Sequence, residues 1–210
     1  MKKTAALIVS LFLLMNAADG LAKASFLPRE AYGAVEDGVY MNTYLGFGFR
    51  GDGWDFLTEE VRNDNVAFAE RAFGLYSLQP EKDASSAIIM SANLSGYADT
   101  VSVTAYDLGE AAAYYEMLGE DCFMESGFDA FRESLEATCE VRSLTLSSVD
   151  VSGWEMTCYQ AEFSISNTFF SVNTALIRTC FFAEGCLVII DSSASTMEMA
   201  KEALGRLFWL

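Results

Sequence analysis

Asp52 and Asp55 bracket the pair Gly53-Trp54, and Glu59 and Glu60 follow closely. Several carboxylate oxygens on a flexible turn are what a hard cation such as calcium needs. The spacing does not fit the EF-hand loop, which sets donors at fixed alternate positions around a central glycine. The plainer reading is that Gly53 permits the turn, Trp54 packs under a sheet, and the acids are solvated or start a helix. No metal site is therefore assigned, and Asp52 and Asp55 are the calcium candidates. Asn63-Asp64-Asn65 also carries oxygen donors, but inside a predicted helix without the needed glycine, so it reads as a polar face. Glu120, Asp121 and Glu125 surround Cys122. Two of these acids could share general acid/base work only if a cleft brought them together.

Other chemistries are excluded by residue type. The chain has no histidine. A Ser-His-Asp or Cys-His pair, histidine-ligated zinc and imidazole acid/base catalysis are all ruled out. Neither G-x-S-x-G nor S-x-x-K occurs, so no serine nucleophile is signposted. The five cysteines, Cys122, Cys139, Cys158, Cys180 and Cys186, form no C-x-x-C and suggest neither a zinc knuckle nor a thioredoxin-type pair. No catalytic residue and no cofactor are expected.

An odd number of cysteines leaves at least one thiol unpaired within a monomer. A turn at Glu184-Gly185 would set Cys180 opposite Ile189 and Ala183 opposite Cys186. The Cys180 and Cys186 thiols then project to opposite faces and do not pair. If a local disulfide forms, Cys122 with Cys139 is the candidate, worth about 3 kcal/mol in the chain-entropy model.

Where the protein works is written at its start. Lys2 and Lys3 precede an apolar run from Ala5 to Met15, and Ala22-Lys23-Ala24 offers small residues before Ser25. This is the pattern of a secretory signal peptide over residues 1–24, cleaved after Ala24, with a core too short to span a bilayer. No cysteine stands near the cleavage site, so no lipid attachment and no stable membrane anchor are expected. Without the leader the chain holds 10 basic and 29 acidic residues, a formal charge of −19. Such a surface repels phosphate backbones, and no local Lys/Arg cluster compensates, so nucleic acid is not expected as a partner.

The elements follow from spacing and punctuation. Residues 25–37 read as an extended lead-in and residues 38–210 as a single domain. Val39 to Thr43 and Gly46 to Arg50 predict a hairpin, with Gly46 and Gly53 as turn residues. Thr58 caps a predicted helix running to about Phe73. Ser86 to Leu94 and Thr100 to Tyr106 predict strands, Gly109 to Leu118 and Phe128 to Cys139 helices. Val141 to Ser148, Gly153 to Ser164, Thr168 to Phe182 and Cys186 to Ser192 predict a meander. Thr196 then caps a last helix with Met197, Ala200, Leu204, Leu207 and Phe208 on one face. The adjacent aromatics Tyr114-Tyr115 and Phe208-Trp209 fall in predicted helices, and Phe169-Phe170 and Phe181-Phe182 in predicted strands.

The run Gly38-Val-Tyr40-Met-Asn42-Thr-Tyr-Leu45-Gly46-Phe47-Gly-Phe49, followed by Gly53-Trp54, resembles the opening of the PsbP/Mog-like superfamily and its secreted bacterial branch. There a "Y-x-N, L-G-[FL]-x-[FIV], P-x-G-W" pattern makes the first hairpin and the entry to the first helix. The order of elements from residue 38 to 210 is similar too. Gly51 departs from the pattern, standing where the family has proline. The resemblance implies an α+β fold, an antiparallel sheet flanked by helices in an α/β/α sandwich. It carries over no catalytic residues, because the better-known members act as binding or assembly factors. The leading expectation is an exported, non-catalytic binding or assembly domain for an extracytoplasmic protein or small ligand. The alternative is a carboxylate-dependent secreted hydrolase, which would need a concave pocket with convergent carboxylates. An exposed aromatic patch on a shallow surface would favour the first.

Overall fold

The computed structural model describes residues 27–57, 86–94, 99–166 and 171–210. The leader, the predicted helix from Thr58 to Phe73 with Asn63-Asp64-Asn65, and Phe169-Phe170 lie outside the described residues. The fold is α+β, with antiparallel strands in two sheets and three described helices. The strands are β1 (Ala34–Glu36), β2 (Val39–Asn42), β3 (Phe47–Arg50), β4 (Trp54–Phe56), β5 (Ser86–Leu94), β6 (Thr100–Asp107), β7 (Glu140–Val151), β8 (Trp154–Ser166), β9 (Ser171–Ala183), β10 (Cys186–Ala194) and β11 (Leu207–Trp209). The helices are α1 (Ala112–Leu118), α2 (Glu120–Glu136) and α3 (Met197–Leu204). The large sheet has the order β4-β5-β6-β10-β9-β8-β7 and the small one β1-β2-β3-β11.

Strands β6 and β10 hold the middle of the large sheet. Nearly all their residues are buried on both faces, although β6 alternates polar and apolar residues and β10 ends in Asp191-Ser192-Ser193, so polar side chains are buried here beside apolar ones. One face meets the small sheet and α3 through Tyr40, Phe47, Phe49, Val103, Val188, Ile190 and Leu204. The opposite face meets α2 through Tyr159, Phe163, Leu176, Leu187, Phe131 and Leu135. Helix α2 docks by its Met124, Phe131 and Leu135 stripe. Tyr159 fixes that docking: its ring stacks on Phe131 at 4.7 Å and its hydroxyl donates to the Met124 carbonyl. Burial pushes the Tyr159 phenol up to about 12.

Three differences between the sequence expectation and the structure shape the layers, besides the short strands β1 and β4, which were not expected. Helix α2 begins at Glu120, eight residues before the expected Phe128. Gly119, at φ +80°, interrupts the chain, and Glu120 and Asp121 in the next turn complement the helix dipole. The last helix stops at Leu204, and Leu207–Trp209 forms strand β11 against β3, not a continuation of the helix. Pairing with β3 satisfies backbone groups that a frayed last turn would leave open, and it sets the tip of the Phe208 ring against Gly48. The expected first hairpin forms, but in a separate small sheet closed by β11, where one flanked sheet was expected.

The turn at Gly51 has a direct physical account. Its N–H donates to the Gly38 carbonyl at 2.9 Å, a bond proline could not make. A Cβ there would stand 2.5 Å from the same carbonyl oxygen.

Candidate binding surface

The two helices on the outer layer place most of the chemistry-bearing residues of the middle of the chain. Residues 107–139 contain nine acids and one base, Arg132, whose guanidinium pairs with Asp129 at 3.1 Å. Helix α1 is only seven residues long and has no buried residue of its own. It is held through Tyr115, whose ring meets Phe123 at 5.9 Å and stacks on Phe182 at 6.4 Å. Phe123 in turn meets Phe182 edge-on at 5.8 Å. On the outward side of this aromatic cluster Tyr114 is 58% exposed and Met117 80% exposed. Two large exposed side chains thus stand over an aromatic cluster, in a helical layer whose exposed acids include Glu110, Glu116, Glu120, Asp121 and Glu125.

The acids around Cys122 do not converge. Glu120 accepts the Phe182 backbone N–H at 3.2 Å, and Asp121 accepts the Thr157 hydroxyl. Both tie the start of α2 to the sheet, on different strands. Glu125 is exposed one helical turn further on. Cys122 and Cys139 do not form the expected disulfide, and both are free thiols. They stand near opposite ends of α2, whose 17 residues span roughly 25 Å at 1.5 Å per residue. A disulfide needs Cα atoms within about 7 Å. The expectation failed because it left the linking helix too short.

At the other candidate, Gly53 takes φ +77° in the turn and Asp52 and Asp55 are exposed. Trp54 is buried, edge-on to Phe49 at 5.5 Å. Arg206 donates to the Asp52 carbonyl at 3.1 Å and lies 5.9 Å from the Trp54 ring. A fixed guanidinium at this loop opposes a bound cation. Among the described residues no three or more His, Cys, Asp or Glu side chains are grouped to hold a metal ion. Gly46 begins β3 from a turn at φ +76°, its N–H donating to Asn42 at 2.9 Å.

Tyr114 was legible as one of an aromatic pair, but Met117 was not singled out. The available signal was the lack of any apolar stripe on α1 that could bury both. The buried pair Arg178 and Asp191 was also missed, since 13 residues and a turn separate them in sequence.

No family model and no curated protein matches the chain. Among solved structures it is similar to LpqN, described as involved in cell envelope biogenesis of Mycobacterium tuberculosis, with 12% identity and a TM-score of 0.35 over 73% of this chain and 76% of that one. It is also similar to the solution structure of cyanobacterial PsbP (CyanoP) from Synechocystis sp. PCC 6803, with 12% identity and a TM-score of 0.44, over 85% of this chain and 96% of that one, the likeness that residues 38–54 led us to expect.

Proposed function

We propose that this chain is an exported, non-catalytic binding domain that docks a basic extracytoplasmic protein on the α1–α2 surface. The observation that carries the reading is the exposure of Tyr114 and Met117 on a braced aromatic base, inside a helical layer whose single base is already paired. Exposed apolar groups ringed by polar residues mark interaction sites. A rim of one sign selects an oppositely charged partner and speeds its approach. Export rests on the leader. The hydrolase alternative gains no support among the described residues, because the acids around Cys122 diverge and buried Asp191 is occupied by Arg178.

The test is affinity capture from the producing cell's envelope and medium, with wild type and a Tyr114→Ser/Met117→Ser variant side by side. A partner with a basic contact face, retained by wild type, released at raised ionic strength and lost from the variant, is the expected result. Equal retention of every partner by the variant would overturn the reading.

A further inference from the structure

The large sheet leaves one long edge open. Of the strands that end the two sheets, β1, β4 and β11 have three residues each, whereas β7 has twelve. Strand β8 pairs along one side of β7, and among the described residues no strand pairs along the other. Eight of the twelve residues of β7 are exposed, including the whole run Thr145–Ser148. Unpaired N–H and C=O groups along such an edge are a template for another strand, and folded proteins blunt them with lysine, proline or a bulge. The strand carries neither lysine nor proline. Its one irregularity falls between Val141 and Ser143, so it runs unbroken from Ser143 to the turn at Ser152-Gly153.

The charges along this edge fit it to itself. The whole chain has a formal charge of −17, which drives copies apart over most of its surface. Between Arg142 and Asp150, β7 holds one base and one acid, so this stretch is neutral. Both residues are exposed, and neither forms an ion pair among the described residues. They stand at equal distance on either side of Leu146, itself 38% exposed. A two-fold axis through Leu146 pairs two copies of β7 antiparallel and sets each Arg142 opposite the Asp150 of the other copy. Thr145 then stands opposite Ser147, and the two Leu146 side chains meet at the axis. Opposite charges and hydroxyl pairs directly across two strands are favourable, and like charges there are not. An axis at Ser147 would set Arg142 opposite Ser152. One at Thr145 would set Asp150 opposite Glu140, a like-charge pair.

We propose that β7 pairs with β7 of a second copy of this chain about a two-fold axis at Leu146, joining the two large sheets into one. Arg142 is the residue that the bulge skips, so it has no partner on β8 and is left to the second copy. The same edge is used on both copies, so the symmetry closes on a dimer and does not propagate into a fibre. Tyr114 and Met117 take no part in the pairing, and the helical docking surface is a separate site.

The test is sedimentation equilibrium of the full chain at about 0.15 M salt, where screening over roughly 8 Å limits repulsion between the acidic copies. A concentration-dependent dimer is expected. Leu146→Lys and Leu146→Glu each set like charges together at the axis and should weaken the dimer at least about tenfold. An equal mixture of these two variants should form a heterodimer, because opposite charges then meet there. Arg142→Asp opposes two carboxylates at each end of the seam and should weaken the dimer too. All three changes fall on exposed side chains, and circular dichroism checks that each variant is folded. Tyr114→Ser/Met117→Ser should dimerise as wild type does. A monomer at every concentration, a dimer untouched by the Leu146 variants, no heterodimer from their mixture, or a dimer lost with Tyr114 and Met117 would each overturn the inference.

Discussion

Cys180 and Cys186 lie six residues apart in sequence and on opposite sides of the large sheet. Cys180 stands opposite Ile189 and packs with the α2-facing core, whereas Cys186 stands opposite Ala183 and packs with the core against the small sheet. The two-residue turn at Glu184-Gly185, both residues at positive φ, sets this register. Burial pushes both thiols up, Cys186 to about 11, and disfavours the thiolate. Cys158 is raised by burial too. In the native protein Cys122 should therefore react first with an aromatic disulfide reagent, while Cys158, Cys180 and Cys186 react only on unfolding. Mass mapping after a short pulse checks this, and a Cys180–Cys186 crosslink would contradict the hairpin register.

The Arg178–Asp191 pair should behave asymmetrically. Burial opposes the guanidinium charge, but the charge and hydrogen bonds of Asp191, with the Tyr106 and Tyr159 phenols, together hold the Arg178 pKa above its ordinary value. Removing one partner leaves a buried charge alone, a cost of about 3–5 kcal/mol. Arg178→Met and Asp191→Leu should each show that loss in urea unfolding, and the double variant should recover most of it. An additive double variant would show that the pair is not coupled.

Phe208 lies so close over Gly48 that a Cβ at residue 48 would stand 2.3 Å from its ring. Arg50 covers the same ring at 5.4 Å. Gly48→Ala should destabilise by about 1–3 kcal/mol through overpacking. Phe208→Leu in that background should restore part of the loss, which thermal melts of the two variants will show.

Trp54 fills the junction between the sheets beside Phe49. Trp54→Ala should cost about 3–5 kcal/mol, a large share of a domain's stability. A melting temperature within a degree or two of wild type would remove Trp54 from the core.

Asp99 is buried beside the start of β6, and its carboxyl is raised by burial, partly offset by the Ser195 backbone N–H. A carboxyl whose folded pKa exceeds its unfolded value leaves the native state holding more protons between the two. Stability from this group is therefore full below the unfolded value and declines as pH rises through the folded one. Asp99→Asn should raise the melting temperature at neutral pH and flatten that decline. A variant less stable than wild type at every pH would reverse the sign.

The sequence alone determined the strand order of the meander, the Glu184-Gly185 turn and the Thr196 cap, whose side chain accepts the Met199 N–H. Those features are local: alternation, turn residues and caps act over a few positions, so the chain states them directly. It also determined the exclusion of histidine chemistry, which needs no geometry. The tertiary structure decided what depends on distant segments meeting. Leu207–Trp209 became a strand because β3 offered an open edge, although its apolar spacing also suited a helix. Cys122 and Cys139 were separated by a helix longer than its apolar stripe announced. Arg178 with Asp191 and the exposure of Met117 both follow from register and layering across the sheet. A single strand's pattern says which residues share a face, but not which residues of the neighbouring strands stand beside them.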